Sequence, residues 1–270
     1  MKKAAIFLAI LMIVLASGFG IFKLIKKGNN SFPSLTNPSQ NKLLNLAKQE
    51  EESGEYLLAK ENYQALIKQY PSARGVSGWQ KRLEDLNIKL IFSPTIIPGS
   101  TEYEIKPGDT LTRIAKEFHT TIDLIAKINN IEGSNLHPGN KIKVWNAPFN
   151  VVVDKSQNIL MLKSADEILK TYIVSTGVDN STPVGTFKIV NKLSDPTWFK
   201  AGTVVPAGSP ENILGTRWLG IDVPGYGIHG TTDPQNLGKQ VTQGCVRMSN
   251  QEVEELYTLL PVGTEVVIMD

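Results

Sequence analysis

Two stretches without hydrophobic periodicity limit what this chain can fold into. Residues 28–41 are rich in Asn, Ser and Pro, and residues 93–101 carry Pro94, Pro98 and Gly99. Segments of that composition are linkers rather than parts of a core. They cut the 270 residues into an N-terminal piece, a segment over 42–92 and a long remainder, more than one average domain holds. Helical spacing dominates before the second linker and short strands dominate late, which predicts a multidomain α+β protein.

The N-terminal piece, 1–27, opens with Lys2 and Lys3 ahead of an apolar run over 4–22. That run approaches the ~20 residues that span a bilayer and exceeds the ~7–15 of a signal-peptide core. A single-pass anchor touching the cytoplasmic membrane through 4–22 is predicted. Cleavage near Ala16, Ser17 and Gly18 is the alternative and would leave a secreted chain. Either way the rest of the chain is exported, although Lys23, Lys26 and Lys27 nearly balance the flanks and leave orientation to the downstream segments. The formal net charge of +2 is spread along the chain, without the basic stripe that nucleic-acid binding needs, so no such partner is expected.

Within 42–92, Leu43, Leu44 and Ala47, then Leu57, Leu58, Ala59, Tyr63, Leu66 and Ile67, recur at helical spacing on either side of Ser53 and Gly54. Trp79, Leu83, Leu86 and Leu90 predict a third helix. The order Ala47, Gly54, Tyr56, Ala59, Tyr63, Pro71 resembles one tetratricopeptide unit. Such repeats need ~3 copies to bury a core, so a helical spacer is the simpler expectation and a protein partner the alternative.

From 102 to 146 the pattern runs strand, helix, helix, strand. Tyr103 begins it, the turn Lys106-Pro107-Gly108-Asp109 comes next, Thr110 caps a helix bearing Leu111, Ile114, Ala115 and Phe118, and a second helix from Ile122 stops at Asn129 and Asn130. Leu136-His137-Pro138-Gly139 then turns into a strand ending at Trp145. This combination resembles a LysM module. The resemblance implies a βααβ fold and binding of N-acetylglucosamine-containing glycan, such as peptidoglycan. The groove would lie between Gly108, Asp109 and Thr110 on one side and Asn129, Asn130 and Ile131 on the other. Turn amides and Asn side chains would meet the acetamido groups. His119 and His137 read as surface or turn histidines, since neither has a second ligand at metal spacing.

Residues 148–270 are strand-rich, and close spacing of short strands predicts a mainly antiparallel β domain. Pro196-Thr197-Trp198 and residues 201–209 read as one long loop, a candidate site wall. Ser249-Asn250-Gln251-Glu252 reads as a capping box opening a helix with Val253, Leu256, Tyr257 and Leu260 on its apolar side.

Cys245 is the only cysteine in the chain. With no partner for an intrachain disulfide, it is a buried hydrophobe, a metal ligand or a nucleophile. Gly244 before it admits close approach, and Arg247 two residues on favours a thiolate. Thr182-Pro183-x-Gly185-x-Phe187, then His229-Gly230, then Thr242-x-Gly244-Cys245-x-Arg247-Met248 with Asn250, together resemble the catalytic domain of the YkuD-type L,D-transpeptidase family. The resemblance implies a sandwich-like β fold and cysteine acyl transfer between peptidoglycan stem peptides, with no metal or organic cofactor.

Acyl transfer needs a thiolate, and a thiol of pKa about 8.5 needs a base beside it. His229 is the only histidine in this segment. The family pattern maps the carbonyl of Gly230 as its orienting partner, with the Asp233 side chain as the alternative. The amides of Gly244 and Cys245 are expected to form an oxyanion hole. Arg247 is expected to hold a substrate carboxylate, Thr242 and Asn250 to fix loop geometry, and Tyr226 and Trp198 to be cleft wall or core. Gln243 departs from the commonest family pattern, which has histidine there. The expected activity is 3-3 crosslinking of stems with release of D-alanine, outside the cytoplasmic membrane. An L,D-carboxypeptidase and a non-catalytic cell-wall tether are the rivals.

Overall fold

The computed structural model describes residues 38–133, 135–200 and 202–270. The apolar run over 4–22 and most of the first linker lie outside them. Among the described residues no helix is long and apolar enough to cross a membrane. The chain divides into two compact units, one reaching to Leu83 and the other spanning Glu84–Asp270.

The first unit holds helices α1 (Pro38–Ser53) and α2 (Tyr56–Gln69) and the start of α3 (Val76–Phe92). Helix is present from Pro38 onward, so the last four residues of the expected linker are helical. Ala47 and Ala59 are fully buried beside Tyr63 and Leu66. Asn62 donates to Glu50 at 2.6 Å, and Arg82 pairs with Glu51 at 2.6 Å. Small residues against a tyrosine, with polar ties at the edge, hold this helical hairpin together.

The second unit starts with the remainder of α3 and continues into β1 (Ser100–Glu104), α4 (Leu111–Glu117), α5 (Ile122–Asn129) and β2 (Lys141–Trp145). β1 and β2 pair antiparallel, over a core that includes Tyr103, Ile114, Ile125 and Val144. Thr110 and Thr121 cap the two helices, their hydroxyls accepting from the amides of Arg113 and Leu124. The expected linker over 93–101 is strapped down at its end. The Gly99 carbonyl accepts from the amides of Asn146 and Ala147. Gly99 has φ +91, and the Trp145 ring lies 2.8 Å from where a Cβ would sit.

The main strands of the remainder are β3 (Phe149–Asp154), β4 (Ile159–Ser164), β5 (Glu167–Ile173), β7 (Gly185–Ser194), β10 (Arg217–Ile221), β11 (Gly227–His229), β13 (Val246–Arg247) and β14 (Glu265–Met269). They form one hydrogen-bonded ladder of eight, in the order β13-β11-β10-β7-β14-β3-β4-β5. Where a sandwich-like arrangement was expected, the hydrogen bonding runs unbroken from β13 to β5. Most pairs are antiparallel as expected, but β14 with β3 and β11 with β13 are parallel. Parallel neighbours need long crossovers. The one into β14 contains α6 (Asn250–Leu259), which buries Val253, Leu256 and Leu259 and is capped by the Ser249 hydroxyl. Tyr257, expected on the apolar side, is half-buried.

Two short pairs complete the domain: β6 (Thr176–Gly177) with β12 (Gln240–Thr242), and β8 (Trp198–Lys200) with β9 (Thr203–Val205). The second pair corrects the expected long loop over 196–209. Two three-residue strands are too short to announce themselves by alternation.

The βααβ module and the sheet domain are joined by more than the chain. Trp145 and Phe149 stack with centroids 5.2 Å apart, and the Thr121 hydroxyl donates to the Thr258 carbonyl on α6. At the far edge of the ladder, Asn87 of α3 donates to the β5 carbonyl of Leu169 at 3.0 Å, covering an otherwise open strand. Lys143 of β2 is 3% exposed. Its ammonium donates to the carbonyls of Leu90, Ile91 and Ser93 where α3 ends, the end at which a helix favours a cation.

Candidate active site

The site is built on the parallel pair β11 and β13, in register Ile228 with Val246 and His229 with Arg247. Strand alternation sends Ile228 and Val246 inward, where they are 1% and 2% exposed. It leaves His229 and Arg247 on the other face, together with Cys245 two residues before Arg247. These three, with Trp198, Tyr226, Thr242 and Gln243, line one cleft of about 650 Å³. The residues singled out from sequence therefore converge from three separate places in the chain.

His229 is 2% exposed, and its Nδ1 lies 2.7 Å from the Gly230 carbonyl oxygen. A carbonyl only accepts, so Nδ1 carries the hydrogen and Nε2 keeps its lone pair. Burial pushes the imidazole down to about 4, against the pull of the Gly230 carbonyl. Arg247 also lowers it, while the Leu214 carbonyl raises it. The ring is neutral at pH 7 and able to take a proton. Asp233, the alternative orienting group, accepts from Asn236 at 2.6 Å instead.

Cys245 is half-buried, and burial pushes its thiol up, although the Gly227 amide and Arg247 both pull it down. Arg247 acts in the expected direction, but desolvation outweighs it. The thiol rests protonated, so its proton must leave during attack.

The turn before the cysteine is held by Thr242. Its hydroxyl donates to the Cys245 carbonyl at 2.6 Å and accepts from the Gly244 amide at 3.1 Å. That corrects one expectation: the Gly244 amide faces Thr242 and is not a free oxyanion donor, which leaves the Cys245 amide as the candidate. Gly244 matters through shape. Its φ is +126, and a Cβ there would sit 2.5 Å from the Tyr226 ring.

Asn250 works away from the cleft, its Oδ1 accepting from the amides of Thr216 and Thr231 at 3.2 and 3.0 Å. That oxygen occupies the space a Cβ on Gly230 would need, which explains the glycine after His229. The Nε of Arg247 is buried without a hydrogen-bond partner, and among the described residues no carboxylate pairs with Arg247. Sequence reasoning passed over Trp218, which also lines the cleft. It stands opposite His229 on the neighbouring strand, a pairing that spacing in the sequence does not show.

The βααβ module holds a second cleft, of about 470 Å³, lined by Asn129, Asn130, Ile131, Asn135, His137 and Asn140 among others. Asn129, Asn130 and Ile131 are part of this lining, and Gly108, Asp109 and Thr110 are not. Asp109 accepts from the Tyr103 hydroxyl and the Lys106 amide, each at 2.8 Å. Thr110 is spent on its cap. The Asn129 side chain bonds Ile125 and both backbone groups of Lys143. The side chains of Asp109, Thr110 and Asn129 thus bond within the module, and Asn135, His137 and Asn140 add polar groups to the cleft. His119 is a turn residue with φ +51.

Residues 148–268 match the family model of the L,D-transpeptidase catalytic domain, YkuD, and residues 103–145 match that of the LysM domain. A putative L,D-transpeptidase YkuD of Bacillus licheniformis is 34% identical over 174 residues, covering 62% of this chain and 97% of that protein. A putative L,D-transpeptidase YqjB of Bacillus subtilis is 41% identical over 126 residues, covering 44% of this chain and 70% of that one. Among solved structures, an L,D-transpeptidase from Mycobacterium smegmatis aligns with 21% identity and a TM-score of 0.41, over 49% of this chain and 64% of that chain. Cys245 and His229 both lie within the matched catalytic domain, and the LysM match precedes it in the chain. The chain belongs to the YkuD-type L,D-transpeptidase family.

Proposed function

We propose that this protein is a peptidoglycan L,D-transpeptidase working through a cysteine acyl-enzyme. The observation that carries the proposal is that Cys245, whose thiol donates to the Gly225 carbonyl at 3.5 Å, a neutral His229 oriented by the Gly230 carbonyl, and Arg247 line one cleft. His229 Nε2 takes the Cys245 proton as Sγ bonds to the carbonyl carbon that joins the third stem residue to a terminal D-alanine. The Cys245 amide faces the developing oxyanion. Collapse breaks the amide C–N bond, His229 returns the proton to the departing D-alanine amine, and a thioester remains. An amine of a neighbouring stem then attacks the thioester, passes its proton to His229 and releases the thiol as a 3-3 crosslink forms. Arg247, with its unpartnered Nε, binds a carboxylate of the stem.

The LysM domain binds glycan through the cleft bounded by Asn130 and Asn140, raising the concentration of stems near Cys245. Such a substrate places 102–146 and 148–270 outside the cytoplasmic membrane, with 4–22 as the anchor and 42–92 as a helical spacer. Incubation of the full chain with disaccharide-tetrapeptide should yield D-alanine and a crosslinked dimer by mass spectrometry, and Cys245→Ala should yield neither. Trimmed monomer alone would mean that water is the acceptor and the protein an L,D-carboxypeptidase. Equal products from Cys245→Ala would remove the catalytic proposal.

A further inference from the structure

Trp218 stands on β10 directly across from His229 on β11. Its indole lies over the imidazole, with ring centroids 5.9 Å apart and planes 19° from parallel. The indole Nε1 donates to Asn191 Oδ1 at 3.0 Å, and Asn191 belongs to β7, the strand on the other side of β10. One end of the indole is tied by a hydrogen bond and its face rests on the histidine.

The backbone around this pair is cleared for it. Gly220 and Gly227 face each other across β10 and β11. A Cβ on Gly220 would fall 2.5 Å from Asn191 Oδ1 and 2.7 Å from Trp218 Nε1, and one on Gly227 would fall 2.8 Å from Trp218 Cζ2. Gly220 accepts no side chain while the indole lies flat, and Gly227 is closed by the Leu219 carbonyl at 2.7 Å as well as by the indole. Glycine weakens a strand and commonly marks close approach by another group. Here two facing glycines admit one indole and its amide anchor.

An imidazole restrained only by backbone carbonyls at its edge retains freedom, because its second torsion sits in a broad well. The bond from Nδ1 to the Gly230 carbonyl supplies one restraint. We propose that Trp218, anchored by Asn191 above the Gly220 and Gly227 pair, is a positioning residue that fixes the plane of the His229 ring toward Cys245 and keeps water from one face of it. The inference rests on His229 being the base of the proposed reaction. Arg247 is the charged group that bears on the ring, and the indole adds no charge of its own. Trp218 also borders the cleft, so a substrate wall is the competing role.

The test compares Trp218→Leu, Trp218→Phe and Asn191→Ala with the unchanged full chain. The readouts are kcat and KM for D-alanine release, and an NMR titration of the His229 ring. Misplacing a catalytic group by an ångström costs up to ~100-fold, so Trp218→Leu is expected to lower kcat by about 10- to 100-fold with KM nearly unchanged. Its His229 should titrate closer to the ordinary ~6.5. Trp218→Phe, which keeps a ring over the imidazole, should restore most of both. Asn191→Ala should fall between them, and it carries the comparison if Trp218→Leu does not fold. Unchanged kcat and titration in folded Trp218→Leu and Asn191→Ala would overturn the inference, as would a rise in KM alone. Failure of the unchanged chain to release D-alanine would sink the proposed function, while the histidine titration would still decide this one.

Discussion

Gly230 is a glycine because of Asn250. The asparagine carboxamide bridges the amides of Thr216 and Thr231, and its oxygen fills the position a side chain at 230 would take. Gly230→Ala is therefore expected to cost about 1–3 kcal/mol by overpacking and to disturb the carbonyl that orients His229; thermal melting and kcat together check it. The cysteine makes a separate prediction. Since burial holds its thiol above the ordinary range, alkylation of the lone cysteine by iodoacetamide should be slow at pH 7 and still rising above pH 9. A plateau reached below pH 8 would mean a preformed thiolate. His229 links pH to stability with a definite sign. Its folded value of about 4 lies below the unfolded value, so its contribution is fully present above ~6.5 and is lost as pH falls toward 4, on the order of 3 kcal/mol in all. Denaturant melts of His229→Gln across that window should show a flatter pH dependence than the unchanged chain.

Among elements, legibility tracked the strength of the periodic signal. Helices α2, α4, α5 and α6 and strands β2, β3 and β14 lie within a residue or two of where spacing and caps predicted them, and Thr110 and Ser249 announce two of those helices. The β8–β9 hairpin was invisible, since three residues carry no readable alternation. The parallel pairing of β11 with β13 was equally hidden, and it puts His229 opposite Arg247. Motif order supplied the residues of the site and pairing supplied their arrangement. Trp218 and the second role of Gly227 needed the sheet register. On the LysM side, the motif residues Asp109, Thr110 and Asn129 were legible, but the bonds their side chains make within the module were not, because a polar side chain in a turn serves the fold as readily as a ligand. Lys143, which burial pushes down to about 8, carries a prediction at this scale. Lys143→Met would leave the last carbonyls of α3 without their donor, and thermal unfolding should show a loss of about 1–3 kcal/mol.

At the scale of the molecule, Glu84–Asp270 form one compact unit, so the glycan module and the catalytic sheet are not beads on a string. The Trp145–Phe149 stack, the Thr121 bond to α6 and the Asn87 bond to the edge strand all tie the sheet domain to the segments before it. A fragment cut to 148–270 loses all three. It should melt below a fragment of 84–270, which itself should unfold in a single transition; two separate transitions would contradict the shared unit.

The central claim is that Cys245 becomes acylated by a stem peptide with help from His229. Peptide mapping by mass spectrometry, after rapid acid quench of the full chain with disaccharide-tetrapeptide, tests it most directly. The account predicts an acyl group lacking the terminal D-alanine on the peptide that contains Cys245, formed far more slowly in His229→Gln and absent in Cys245→Ala. D-alanine release with no adduct on Cys245 at any quench time, and undiminished in Cys245→Ala, would contradict it.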